Sequence, residues 1–152
     1  MSDTVEANTS ARDASLHYEF EVEGGDFAAA GDASSRVKKI LQQIGADPEV
    51  VRRVAIACYE AEMNVVIHAH RGKVALDADT HRIQVIVADE GPGIEDIDQA
   101  MLPGYSTAPD SVREMGFGAG MGLPNMKTCS SELDITSTKD VGTTVRMVFE
   151  NA

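Results

Sequence analysis

The sequence predicts an α/β fold, a two-layer α/β sandwich with a mostly antiparallel mixed sheet and helices on one face. Three observations predict it. Apolar residues recur at helical spacing between Asp26 and Ala69, and they alternate at strand spacing in several short runs. The elements follow the order β-α-α-β-β-loop-α-β-β, which groups strands with helices as a sandwich requires.

Residues 1–14 are polar and predict a disordered tail, followed by one domain over residues 15–152. Tyr18, Phe20 and Val22 put bulk at every second position of a strand from His17 to Val22, which Gly24 and Gly25 end. A helix is expected from Asp26 to Ile44, because Val37, Ile40, Leu41 and Ile44 fall on one face. Gly45 stops it, and Asp47-Pro48 supplies an N-cap and a first-turn proline for a second helix reaching about Ala69. The core stripe of that second helix is Val54, Cys58, Ala61 and Val65.

A short strand follows at Val74–Leu76, and Ile83, Val85 and Val87 alternate in another from His81 to Ala88. Glu95–Met101 reads as one or two helical turns, and Leu102–Gly118, rich in Gly, Pro and Ser, as a mobile loop. A helix over 120–130 and a hairpin of strands Glu132–Thr138 and Thr143–Phe149 close the chain.

Composition narrows the function. The 152 residues are 43% hydrophobic and 25% charged, an ordinary single domain. The net charge of −12 opposes nucleic acid, and no apolar run reaches the ~20 residues of a membrane span. The first residues lack the basic start and apolar stretch of a signal peptide, so the expected location is cytoplasmic. Cys58 and Cys129 read as two buried, reduced thiols.

Three groups carry chemistry. Glu60, Asn64 and His68, spaced i, i+4, i+8, form one polar row on the second helix. Asn64 offers a hard carbonyl oxygen suited to Mg²⁺, and Glu60 a carboxylate able to take a hydroxyl proton. Glu62 lies off that row and reads as solvated. Asp89, at a strand end before Gly91 and Gly93, can accept a hydrogen bond from an exocyclic amine. Gly116, Gly118, Gly120 and Gly122 alternate before a helix, where backbone N–H groups and the helix N-terminus favour phosphate. No Gly-Lys-Ser/Thr follows, so this is not a Walker A loop.

In this order the motifs resemble those of the GHKL ATPases. Glu60-xxx-Asn64-xxx-His68 is similar to their N box, Asp89-x-Gly91-x-Gly93 to their G1 box, the glycines from Gly116 to Gly122 to their G2 box, and Gly142-Thr143-Thr144 to their final glycine-threonine motif. Within that superfamily the chain resembles the bacterial anti-sigma and stressosome switch kinases over roughly residues 15–150. The resemblance implies a Bergerat-type ATP-binding fold using ATP and Mg²⁺. It implies Asn64 on the metal, Glu60 as the base, Asp89 on the adenine amine with help from Thr143, and the glycines shaping pocket and lid. The loop from Gly104 to Gly116 is longer than the stressosome kinases lead one to expect, and it contains Arg113.

The function so implied is a protein serine/threonine kinase acting on a STAS-domain antagonist. The alternative is an anti-sigma factor that sequesters a sigma factor. The resemblance also allows a homodimer. A sensor histidine kinase is disfavoured, since no helical hairpin carries a phosphoacceptor histidine.

Overall fold

The computed structural model describes residues 4–9, 14–105, 108 and 121–150. Its strands are β1 (Thr4–Thr9), β2 (Ala14–Glu23), β3 (Arg71–Ala78), β4 (Arg82–Glu90), β5 (Glu132–Thr138) and β6 (Gly142–Glu150). Its helices among the described residues are α1 (Asp32–Gln43), α2 (Pro48–His68), α3 (Ile97–Ala100) and α4 (Gly122–Cys129). The strands form one six-stranded sheet in the order β1-β2-β3-β4-β6-β5. Every neighbouring pair is antiparallel, so the sheet carries no parallel component among the described residues.

Register explains the core. Phe20, Val74, Val87, Val145 and Ile135 are successive cross-strand partners, as are Tyr18, Leu76, Val85, Met147 and Leu133. These two apolar rows lie on one face because side chains alternate along each strand. Phe20, Leu76, Val85 and Met147 are all buried. Each contributes about 1.5–3 kcal/mol by leaving water. The helix layer covers this face: α2 packs on β2, β3, β4 and β6, with α1 and α4 flanking it. Val54, Cys58, Ala61 and Val65 of α2 are buried against the sheet, as their spacing predicts.

The opposite sheet face is mostly polar, with Ile86 and Val148 among its apolar residues. His17 Nδ1 lies 2.7 Å from Asp77 Oδ1 and its Nε2 lies 2.8 Å from Glu19 Oε2. Two carboxylates bracketing one imidazole favour its protonated form. The hydrogen bonds to Glu19 and then Asp77 raise the His17 pKa against the cost of burial.

Four expectations are corrected. Thr4–Thr9, expected in a disordered tail, is an edge strand paired along β2. The unpaired N–H and C=O groups at the β2 edge offer such a segment a ladder. The first helix begins at Asp32 rather than Asp26. The intervening chain instead satisfies the end of α2, where Gly25 N–H donates to Val66 O at 2.8 Å and Gly24 N–H to His70 O at 2.9 Å. Glu62 is not solvated: it is 1% exposed and accepts the N–H groups of Gly31, Ala33 and Ser34 at 3.0, 3.3 and 2.9 Å. It thereby caps α1, which has no N-cap side chain of its own. Cys129 is half-buried, unlike the fully buried Cys58, and both are free thiols. No helix among the described residues is long and apolar enough to cross a membrane.

Candidate functional site

The two apolar rows end, at one edge of the helix layer, in a third row of different chemistry. Val22 faces Gly72, Gly72 faces Asp89, and Thr143 faces Ser137. The Thr143 N–H donates to Asp89 Oδ1 at 3.0 Å and closes the row between β4 and β6. Gly72 has no side chain there because Val65 of α2 occupies the space, with a Cγ 2.9 Å from where a Cβ would stand. Three polar residues are thus presented on the same sheet face as the core, just where the helices stop covering it.

Around this row opens a cavity of about 860 Å³, lined by Glu60, Asn64 and His68 of α2, by Asp89 near the end of β4, by Pro92, Gly93 and Ile94 after it, by Gly122 of α4 and by Thr143 of β6. That volume suits a nucleotide-sized ligand. Residues 109–120 are not among the described ones. Gly116, Gly118, Gly120, Arg113 and most of the expected loop therefore lie outside the description.

Each wall has a local cause. Asp47 accepts the Glu49 N–H at 2.8 Å and Pro48 opens the first turn, starting the long helix that carries the polar row. Asn64 is half-buried on that row. A Cβ on Gly122 would stand 3.4 Å from Asn64 Oδ1 and 3.7 Å from Glu60 Oε1. Gly122 therefore sits beside the ends of both side chains, with Asn64 Nδ2, next to the oxygen, 3.6 Å from the same Cβ position. His68 lies on the same row in the last turn of α2, and the surrounding walls lower its pKa by desolvation.

The turn after β4 is held by its glycines. Gly93 has φ of 79° and a Cβ there would lie 2.7 Å from Thr138 O, so only glycine fits. Gly91 does not line the cavity but packs behind it, with a Cβ position 2.9 Å from Ala69 Cα. Its N–H donates to Val141 O at 3.1 Å, and Asp140 N–H donates to Pro92 O at 2.9 Å, so this turn rests on the β5–β6 turn. The final Gly142-Thr143 pair fits the same junction: a Cβ on Gly142 would overlap the carbonyl oxygen of Asp89.

Asp89 is half-buried. Desolvation raises its carboxyl pKa, and the Thr143 N–H opposes that rise. With Oδ1 taken by Thr143, Oδ2 remains as an acceptor for an amine in the cavity.

Two contributors are invisible to motif reading. Ser137 Oγ accepts the Ile94 N–H at 2.7 Å and shares a hydrogen bond with Thr143 Oγ1 at 2.9 Å, tying the turn to β6. Asn125 Nδ2 donates to Glu60 Oε2 at 2.9 Å from α4. Both are long-range contacts of common polar residues, and the alternation that puts Ser137 on the inward face of β5 is their one sequence signal.

The model of a histidine kinase-like ATPase domain matches residues 26–149. The chain is 34% identical over 120 residues to the anti-sigma F factor of Caldanaerobacter subterraneus subsp. tengcongensis, spanning 76% of this chain and 80% of that relative. It is 26% identical over 115 residues to the serine/threonine-protein kinase RsbT of Bacillus subtilis, spanning 73% and 80%. In fold it is similar to a chain of the SiaB-SiaC complex from Pseudomonas aeruginosa, with TM-score 0.59 and 18% identity over 86% of this chain and 88% of that one.

Proposed function

This chain belongs to the histidine kinase-like ATPase family, and on that premise we propose that it is an ATP-dependent protein serine/threonine kinase. Its substrate is a small STAS-domain regulator of a bacterial partner-switching pathway, and its place is the cytoplasm. The observation that carries this reading is the pairing of Glu60 with Asn64, one helical turn apart, on the wall of the cavity that also holds Asp89.

In this reading Asp89 Oδ2 accepts the adenine amine, while Thr143 fixes the other oxygen of the carboxylate. Gly93 fixes the turn that lines the cavity and Gly91 holds that turn from behind, while the roles of Gly116, Gly118, Gly120 and Gly122 toward the phosphates are carried by their resemblance to the G2 box. Asn64 offers its amide oxygen to Mg²⁺, a fit supported by its place on the cavity wall one helical turn from Glu60. The ion, when bound, neutralises charge on the phosphates. The incoming serine or threonine oxygen bonds to the γ-phosphorus as the bond to the bridging oxygen breaks, and ADP departs. Glu60 takes the hydroxyl proton from its place on the same cavity wall.

A second reading, an anti-sigma factor that sequesters a sigma factor, is supported by the 34% identity to a protein of that name. Incubation with Mg-ATP and STAS-domain proteins of the same genome, with phosphate located by mass spectrometry, tests the first reading. Capture of sigma factors by the tagged chain tests the second. Phosphate on no STAS protein, with a sigma factor captured, would favour the second alone.

A further inference from the structure

We infer that Asn125 is a positioning residue for Glu60, holding the carboxylate in the orientation that proton transfer requires. The inference rests on the assignment of Glu60 as the base of the proposed kinase. Its ground is the hydrogen bond from Asn125 Nδ2 to Glu60 Oε2, 2.9 Å long and partly buried, joining α4 to α2 across 65 residues of chain.

Chemistry sets the polarity of this bond. An ionised carboxylate only accepts, so the amide must turn its NH₂ toward Glu60. The bond engages Oε2 and leaves Oε1, which stands with the Asn64 amide beside Gly122 in the cavity wall. A glutamate at a half-buried site otherwise samples several rotamers, and each wrong one removes the base from the hydroxyl.

The donor is itself anchored. The Asn125 N–H donates to Met121 O at 2.9 Å in the first turn of α4. Its neighbours Leu123 and Met126 are buried in the core beneath α2. The Asn125 amide is therefore carried on a frame that packs directly on the helix bearing Glu60.

A tie between two helices would also hold Asn125 in place, and that role predicts a loss of stability without a change in chemistry. Transfer of labelled γ-phosphate from Mg-ATP to a STAS-domain protein of the same genome separates the two. Thermal unfolding and ATP affinity are followed in parallel. Asn125→Ala is expected to lower kcat roughly tenfold, with ATP affinity and KM for the protein substrate held within about twofold. In Asn125→Asp two adjacent carboxylates share a proton, so the acid limb of the pH–rate profile moves to higher pH. In the Glu60→Gln background Asn125→Ala is expected to add no further loss. An unchanged kcat in Asn125→Ala, or an equal loss in both backgrounds, overturns the inference. If the alanine variant fails to fold, an acid limb that stays in place in Asn125→Asp overturns it instead. Wild-type transfer by Glu60→Gln would overturn the kinase base itself, and the positioning role with it.

Discussion

Thr143 donates its backbone N–H to Asp89 Oδ1 at 3.0 Å, although the two residues are 54 apart in sequence. This bond joins the end of β4 to the last strand and engages Oδ1 of Asp89, which leaves Oδ2 as the acceptor for the proposed adenine contact. Asp89→Asn should therefore weaken ATP binding while leaving the fold intact. An amide can still accept from Thr143 but presents a donor where the adenine amine also donates. The expected loss is about 10–100-fold by calorimetry, with the unfolding midpoint unchanged or raised. The same carboxyl gives a pH signature. Burial raises the Asp89 pKa above its ordinary value, so the native state binds this proton more readily than the unfolded chain. Its contribution to stability is thus lost as pH rises from the ordinary aspartate range through the raised pKa. ATP affinity should move the opposite way, weakening on acidification from above the ordinary aspartate range. Calorimetry across mildly acidic pH should show that slope in the wild type and a flatter one in Asp89→Asn.

His17 provides an independent titration on the far face of the sheet. Its pKa is raised by hydrogen bonds to Glu19 and Asp77. The sign is that of a base gaining partners: the stabilisation is complete below the unfolded value near 6.5 and disappears as pH rises through the folded pKa. Denaturant unfolding should find His17→Gln less stable than wild type at about pH 6, with the gap closing as pH rises through the raised pKa.

Glu62 should be a residue of stability rather than catalysis. Its buried carboxylate holds three N–H groups at the start of α1. Glu62→Ala leaves them unsatisfied, at an expected cost of about 2–4 kcal/mol and a Tm lower by roughly 5–15 °C. ATP affinity of the folded fraction should be unchanged, measured below the new transition.

These contrasts show where the sequence is legible. The α2 stripe and the β5–β6 hairpin follow local periodicity, and their residues fall where spacing puts them. The row of Glu60, Asn64 and His68 is legible for the same reason, since one helix carries all three onto one cavity wall. Glu62 misleads because a carboxylate on a helix is ordinarily solvated. Its burial depends on Gly31, Ala33 and Ser34 arriving from another helix, which no pattern within α2 reports. Ser137 and Asn125 are hidden likewise, each defined by contacts with a distant element. The β1 strand is illegible because pairing with an available edge, rather than apolar alternation, makes it a strand.

If Asn64 holds the magnesium ion as proposed, Asn64→Ala should abolish the magnesium dependence of nucleotide binding, because alanine removes the hard oxygen ligand. Titrating ATP with and without Mg²⁺ checks this. Equal enhancement by magnesium in variant and wild type would remove Asn64 from the metal.

Phosphoryl transfer by Glu60→Gln tests the central claim most directly. The isosteric amide keeps the shape of the cavity but cannot take a hydroxyl proton, and a base of this kind contributes on the order of 10²–10⁴-fold. The measurement is single-turnover transfer from γ-labelled Mg-ATP to a STAS-domain protein that the wild-type chain phosphorylates, with ATP affinity determined on the same sample. ATP binding close to wild type and transfer reduced by at least about a hundredfold are expected. Transfer at the wild-type rate by Glu60→Gln would contradict that claim.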